Sequence, residues 1–172
     1  NPTFNAPTSP DLIVNGDFTD TGADVIYNGD FADTSIALGS AGSGWGNIQG
    51  TAAYTTFGGD TAVKLTRATT TNSIRVTNLT GYNPILADTS YRLTYTVLEN
   101  NGVTNFRIYA SGEKVIPYSV ATHIFYFRTG SVNNILDFRN YTNNSDITFT
   151  DVICEPLGEG WTIGGTQDAT YY

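Results

Sequence analysis

Apolar and polar residues alternate with a period of two along much of this chain. The clearest example is residues 91–97, where Tyr91, Leu93, Tyr95 and Val97 fall on one face of an extended strand. The same pattern, rich in β-branched and aromatic residues, recurs at residues 62–66, 73–77, 105–109, 123–128, 134–139 and 146–152. No stretch shows a sustained helical period. Many short strands with one apolar face each predict an all-β fold, an antiparallel β-sandwich of the jelly-roll type.

A seven-residue phrase occurs twice near the N-terminus. Residues 12–18 read Leu-Ile-Val-Asn-Gly-Asp-Phe, and residues 25–31 read Val-Ile-Tyr-Asn-Gly-Asp-Phe. Each copy is a short apolar strand that runs into an Asn-Gly turn. The phrase does not recur further along, so only one copy can open the fold, and the sequence leaves open which one. The other copy is predicted to be an extra edge strand or an arm that reaches a neighbour.

Composition shifts mark the predicted boundaries of the domain. Residues 1–10 contain three prolines among Thr, Ser and Asn, and we expect an extended linker there. The β-sandwich is predicted over residues 11–157, with a Gly- and Ser-rich loop at 37–50 that delivers Trp45 to the core or to a surface. Residues 158–172 are either an added strand or, as we prefer, the start of a following module. Because the chain lacks Met, we expect a mature or trimmed piece of a longer protein.

The polar surface is built from Thr, Asn, Ser and Gly, because only 14% of the residues are charged, against about 25% in average proteins. Such surfaces are typical of extracellular β proteins and virion proteins. The net charge of −8 argues against nucleic-acid and anionic-membrane partners. No apolar run is long enough to insert into a membrane. The following arginines are spread along separate predicted strands and are interpreted as solvated or rim-facing charges: Arg67, Arg75, Arg92, Arg107, Arg128 and Arg139.

Catalytic chemistry has no support in the residue pattern. The four glutamates, at 99, 113, 155 and 159, lie in predicted turns or at ends and mark no facing pair of the kind that glycosidases use. The single histidine, His123, lies beside an apolar run and is interpreted as structural. Cys154, the single cysteine, is predicted to be a buried small hydrophobe. We therefore predict that the chain is not an enzyme.

The order of these motifs resembles the jelly-roll carbohydrate-binding modules of families four, nine and twenty-two, and the related sandwich domains of phage tail and virion proteins. The resemblance covers roughly residues 11–156. It is carried by the Asn-Gly-x-Phe phrase, by Gly44-Trp45, by the alternating strands at 62–66 and 91–97, and by a last strand ending in Asp151-Val152. It implies a non-catalytic sandwich that binds glycans.

The resemblance also implies a structural calcium ion between the opening phrase and the last strand. Asp17, Asp30 and Asp151 are the candidate ligands, since calcium takes six to eight oxygens. However, Thr19 and Ala32 stand where the family has a glutamate after the phrase. We therefore predict no cofactor, with Ca2+ as the less favoured alternative. In the favoured interpretation, the aspartates of the two phrases are turn residues that bond their own backbone.

Aromatic residues are the candidates for glycan binding, because a sugar can stack its apolar face on Trp or Tyr. Loops are the preferred places for such residues. Trp45 is ambiguous, because the resembled modules commonly have a core residue at this position. The candidates in or near predicted loops are Trp45, Tyr54, Tyr82, Tyr109, Tyr118 and Tyr141.

Two functional hypotheses remain. The favoured one is a structural or attachment domain of a virion or fibre-like assembly, such as a tail fibre or a capsid decoration. It would be a homo-oligomer, with a trimer as the usual form, that contacts other structural subunits and binds a cell-surface glycan or acts as a spacer. The spare copy of the phrase favours this hypothesis. The alternative is a secreted carbohydrate-binding module of a polysaccharide-degrading enzyme. Both hypotheses place the chain outside the cell or on a virion.

Overall fold

The computed structural model describes residues 21–40, 42–70, 72–76, 85–131 and 135–157, without the side chains of Asn47 and Ile48. The predicted linker at 1–10, the first copy of the phrase at 12–18, Tyr82 and the segment 158–172 lie outside these residues. The described part of the chain contains strands and no helix, so no helix in it could cross a membrane.

The described residues form ten strands in two antiparallel five-stranded sheets, and the predicted all-β sandwich is confirmed. The strands are β1 (Trp45–Gln49), β2 (Thr51–Phe57), β3 (Asp60–Arg67), β4 (Asn72–Val76), β5 (Ser90–Asn101), β6 (Phe106–Tyr109), β7 (Glu113–Val115), β8 (Ala121–Arg128), β9 (Asp137–Asn140) and β10 (Ser145–Pro156). The first sheet has the strand order β1-β4-β9-β6-β7, and the second has the order β2-β3-β10-β5-β8.

The period-two pattern of β5 explains how the second sheet buries one face. Tyr91, Leu93, Tyr95 and Val97 are all buried, and the residues between them are half-buried. β5 lies between β8 and β10 in the sheet. The strongest alternation in the sequence therefore belongs to a central strand.

Aromatic side chains join the two sheets across the core. Phe138 of the first sheet stacks on Phe149 of the second, with ring centroids 5.1 Å apart. The Tyr95 ring packs edge-on against Phe138 at 6.0 Å, and the Phe106 ring is tilted against Phe149 at 5.8 Å. Each of these rings is fully buried, and such pairs contribute beyond the area that they bury. Cys154 is also fully buried, which raises the pKa of its thiol.

The second copy of the phrase packs against the last strand. The carbonyl oxygen of Gly29 accepts a hydrogen bond from the Val152 amide at 2.9 Å. A Cβ atom on Gly29 would lie 1.9 Å from the Val152 carbonyl oxygen, so only glycine fits there. Phe31 then turns into the core, and its ring centroid lies 5.0 Å from that of Trp45. The copy at residues 25–31 thus packs against β10 and contributes Phe31 to the core.

Three strands, β1, β2 and β7, were not predicted. Residues 45–49, expected to be part of a loop, form β1 because they pair with residues 73–76 of β4. β2 has mostly exposed or half-buried residues at an edge of the second sheet, so it needs no alternating apolar face. β7 has only three residues. Pairing with distant strands, rather than local pattern, creates these elements.

Candidate functional site

A row of polar side chains crosses the outer face of the first sheet. Neighbouring strands place Arg75 opposite Asp137, Asp137 opposite Tyr109, and Tyr109 opposite Glu113. The alternate residues of these strands point inward and are apolar, as Phe138 shows. Because side chains alternate between the two faces of a strand, the polar residues share the outer face.

A second row lies beside the first. Arg139 of β9 stands opposite Ser73 of β4 and Arg107 of β6, and Tyr141 follows two residues after Arg139. Arg67, at the end of β3, reaches this edge and donates from its Nη1 atom to the Asn140 carbonyl oxygen at 3.3 Å. We call the resulting set the arginine–tyrosine face; it consists of Arg67, Arg75, Arg107, Tyr109, Glu113, Asp137, Arg139 and Tyr141.

Asp137 is the buried anchor of this face. Its side chain is 0% exposed, yet it is ionically paired with two arginines. Arg75 binds it in a two-point fashion, from Nε to Oδ1 at 2.6 Å and from Nη2 to Oδ2 at 3.0 Å. Arg139 donates from Nη2 to Oδ2 at 2.8 Å. The hydrogen bond to Asp137 raises the pKa of Arg75, so this guanidinium is held in its charged form.

Glu113 holds the other end of the face. Its carboxylate accepts a hydrogen bond from the Tyr141 hydroxyl and one each from Arg107 and Arg139, at 3.1 Å. The bond from Tyr141, together with the two nearby guanidinium groups, lowers the pKa of Glu113. Although burial disfavours its charge, hydrogen bonds to Asp137 and Tyr141 raise the pKa of Arg139. Arg139 therefore bridges both carboxylates.

Two tyrosine rings are fixed by arginines. The guanidinium carbon of Arg139 lies 4.4 Å from the Tyr109 ring centroid. The guanidinium carbons of Arg107 and Arg67 lie 5.3 Å and 5.7 Å from the Tyr141 ring centroid. These distances are within cation–π range. Both tyrosines are half-buried, so each ring is held in place while part of it reaches solvent.

The other aromatic candidates that the structure describes lie elsewhere. Trp45 is fully buried and donates from Nε1 to the Asn28 carbonyl oxygen at 3.0 Å, so it is a core residue. Tyr54 and Tyr118 are partly buried against the core. Tyr82 lies outside the described residues. Of the six candidates, the structure brings together Tyr109 and Tyr141.

The arginines of the face were missed as site residues. Their separate positions along the chain favoured the interpretation of solvated or rim-facing charges. The structure instead brings Arg67, Arg75, Arg107 and Arg139 together on one face, where each is partly exposed and hydrogen-bonded. A signal was present, because Arg107 and Tyr109 are two residues apart, as are Asp137, Arg139 and Tyr141. Residues that are two apart in a strand lie on the same face. The local sequence does not show, however, which strands are neighbours in the sheet.

The two candidate calcium ligands that the structure describes, Asp30 and Asp151, behave as turn or surface residues. The Oδ1 atom of Asp30 accepts a hydrogen bond from the Ala32 amide at 3.1 Å, as the turn interpretation expects. The Thr150 hydroxyl donates to the Asp30 carbonyl oxygen at 3.2 Å. Asp151 is exposed, and Asp17 lies outside the described residues. Within the described ranges, no group of three or more His, Cys, Asp or Glu residues could hold a metal ion.

An open depression of about 300 Å³ lies at the second copy of the phrase and away from the arginine–tyrosine face. Its polar groups bond to one another: Tyr27 donates its hydroxyl to Asp33, and Asn28 exchanges side-chain hydrogen bonds with the Asp33 backbone at 2.9 Å. These groups stabilise the turn, so the depression is a weaker candidate for ligand binding.

Comparison with solved structures finds the same kind of β-sandwich in carbohydrate-binding modules. The CBM22-1 and GH10 modules of endo-1,4-beta-D-xylanase 10B from Clostridium thermocellum, complexed with xylohexaose, match with a TM-score of 0.50 and 13% identity. The match covers 84% of this chain and 30% of the xylanase chain, so this chain spans less than a third of the length of that chain. No family model and no curated protein matches the sequence. At this identity, the likeness establishes the fold alone.

Two further solved structures of the same class are similar, at lower TM-scores. The CBM22-1 xylan-binding domain of Paenibacillus barcinonensis Xyn10C has a TM-score of 0.45 and 10% identity, covering 70% of this chain and 91% of that domain. A carbohydrate-binding module of family 29 has a TM-score of 0.42 and 14% identity, covering 72% of this chain and 86% of the module.

Proposed function

We propose that this chain is a non-catalytic carbohydrate-binding module and that its arginine–tyrosine face holds the glycan. One observation carries the proposal: Tyr109 and Tyr141 are held half-buried beside charged donors and acceptors on one sheet face. Tyrosine combines an apolar ring with a polar hydroxyl, which suits a sugar with an apolar face and hydroxyl edges. Charged groups form stronger hydrogen bonds to such hydroxyls than neutral groups do.

The fold supports the same proposal and suggests the parent protein. The similar xylanase structure joins a binding module to a GH10 module and was solved with xylohexaose. We propose that this chain likewise serves a polysaccharide-degrading enzyme, outside the cell. The weakly charged surface, rich in Thr, Asn and Gly, is typical of extracellular β proteins and agrees with this location.

The virion or fibre hypothesis has less support. It depended on composition, on the shortage of cysteine, on a possible continuation at Trp161, on the departures from the calcium pattern and on the doubled phrase. Trp161 and the copy of the phrase at residues 12–18 lie outside the described residues. The expected homo-oligomer, trimer and structural-subunit partners depend on the same features. The similar xylanase structure, by contrast, contains a carbohydrate-binding module.

Isothermal calorimetry tests the proposal, with xylohexaose and a panel of soluble neutral and acidic polysaccharides. We expect at least one ligand to bind, and Tyr109→Ala and Tyr141→Ala to weaken that binding by about 1–3 kcal/mol. Tyr126→Ala is the matched control, because Tyr126 lies on β8 of the second sheet and alternates with the inward-facing Phe125 and Phe127. Failure to bind any ligand, or an equal loss in all three variants, overturns the proposal.

A further inference from the structure

The arginine–tyrosine face carries an excess of positive charge in an acidic protein. The whole chain has a net charge of −8 and only 8 lysines and arginines. Four of these basic residues, Arg67, Arg75, Arg107 and Arg139, belong to the face, against the two carboxylates of Asp137 and Glu113. Physiological salt screens the interaction between exposed charges beyond about 8 Å. Charges in contact with a ligand therefore affect its binding more than distant acidic residues do.

Both carboxylates are already occupied within the face. Asp137 is fully buried and accepts three hydrogen bonds from two arginines. Glu113 accepts bonds from Arg107, Arg139 and Tyr141. The carboxylates therefore hold the guanidinium groups in position, and the excess charge stays on the arginines. The side chains of Arg75, Arg107 and Arg139 are 36%, 31% and 21% exposed, so a ligand can reach them.

Two donors of the face lack an acceptor. The Nε atoms of Arg67 and Arg139 are buried and have no hydrogen-bond partner. Buried polar atoms are nearly always bonded, so an unpartnered donor in a native fold calls for an explanation. Both atoms belong to guanidinium groups that flank the tyrosine rings. The Nε atoms themselves are out of reach of a ligand, so a ligand with acceptor oxygens would contact the exposed parts of the arginine side chains.

The ion pairs of the second sheet are different. Lys64 contacts both Asp146 and Glu99, at 2.9 Å and 3.6 Å, so that acids exceed the base there. Arg92 pairs with Glu155 at 2.7 Å, one base to one acid. Among the ion pairs of the described residues, the positive excess is thus confined to the arginine–tyrosine face.

We propose that the arginine–tyrosine face selects polysaccharides that carry carboxylate groups, that is, uronic-acid chains, over neutral polysaccharides. This inference rests on the proposed function and deepens it. A guanidinium group matches a planar carboxylate with two parallel hydrogen bonds, as Arg75 already does with Asp137. A neutral sugar offers hydroxyls to the same donors but leaves the excess charge uncompensated.

The test compares each acidic polysaccharide with its own neutral form. Polygalacturonate, alginate and glucuronoxylan are measured by calorimetry beside their carboxyl-reduced counterparts, which keep the backbone and lose the charge. We expect at least one acidic form to bind about tenfold or more tightly than its reduced form, because charge-assisted hydrogen bonds are roughly twice as strong as neutral ones. Dextran sulfate is included because it is negatively charged but carries no carboxylate groups. If it binds as tightly as the acidic forms, or more tightly, the selectivity for carboxylate is overturned.

The other outcomes separate this inference from the proposed function. Equal binding of acidic and reduced forms, lost in Tyr109→Ala, overturns the inference and leaves the proposed function intact. No binding of any polysaccharide overturns both. If Tyr109→Ala and Tyr141→Ala bind an acidic form as tightly as the unchanged protein does, the binding site for acidic polysaccharides lies elsewhere and the inference is overturned.

A matched pair of arginine variants assigns the effect to the face. Arg107 bonds Asn105 and Glu113 at the surface, so Arg107→Gln removes one charge without opening the core. We expect this variant to lose about five- to tenfold in affinity for the acidic ligand, and Arg107→Lys to recover part of the loss. Arg92→Gln, on the second sheet, is the control. Equal losses in Arg107→Gln and Arg92→Gln contradict the inference, and circular dichroism checks the fold of each variant.

Discussion

The guanidinium group of Arg139 lies over the ring of Tyr109, with 4.4 Å between its central carbon and the ring centroid. The two residues are diagonal neighbours on β9 and β6, because Arg139 pairs with Arg107 and Tyr109 pairs with Asp137. Arg139 is itself fixed by Asp137 and Glu113. A single arginine therefore connects the buried carboxylate, the surface carboxylate and the aromatic ring, and it makes the face a preorganised surface.

Asp137→Asn should destabilise the fold. The substitution keeps the shape of the side chain but leaves two guanidinium groups without their buried counter-charge. We expect a loss of about 3 kcal/mol in the free energy of unfolding, as is typical when one partner of a buried ion pair is removed. The loss should not be larger, because both arginines still reach solvent. Urea denaturation measures it. Asp146→Asn, which breaks a partly exposed pair with Lys64, is the control, with an expected loss of about 1 kcal/mol or less. Similar losses in the two variants would contradict the anchoring role of Asp137.

Gly29→Ala tests which copy of the phrase opens the fold. An added Cβ would lie 1.9 Å from the Val152 carbonyl oxygen, so the phrase must move away from β10. We expect a loss of more than about 2 kcal/mol in the free energy of unfolding, as for other strained or overpacked sites. Gly16→Ala is the same substitution in the first copy. A larger loss for Gly16→Ala would show that the first copy opens the fold.

Stability should fall in acid partly through Glu113. Its pKa in the folded protein is below the ordinary value of 4.5, so the unfolded chain binds its proton more readily. The contribution of Glu113 is therefore fully present above about pH 4.5 and is lost as the pH falls through the lowered pKa. The free energy of unfolding, measured between neutral pH and about pH 3, should fall less steeply in Glu113→Gln than in the unchanged protein. Identical slopes would disprove the pairing of Glu113 in solution.

Local sequence pattern predicted the fold better than the site. The alternation of residues 91–97 sufficed for β5, since a half-buried strand needs only period two. The site depends instead on which strands are neighbours. Arg75 and Asp137 are 62 residues apart and meet only because β4 pairs with β9. No local pattern encodes that pairing.

The aromatic candidates show the same limit. A search of predicted loops found Tyr109 and Tyr141, which lie at the end of β6 and just after β9, but also Trp45, which is buried. Composition cannot separate these cases, because an aromatic residue near a turn serves either the core or the surface. The partner across the sheet decides, and for Tyr109 that partner is the charged Asp137.

The most direct test of the proposed glycan site follows the arginine side chains themselves. Nuclear magnetic resonance resolves the Nε–Hε signal of each arginine during titration with a bound polysaccharide. We predict that the signals of Arg67, Arg107 and Arg139 shift on binding, while that of Arg92 on the second sheet does not. Binding that moves the Arg92 signal and leaves the three signals of the face unchanged would contradict the central claim that the arginine–tyrosine face is the glycan site.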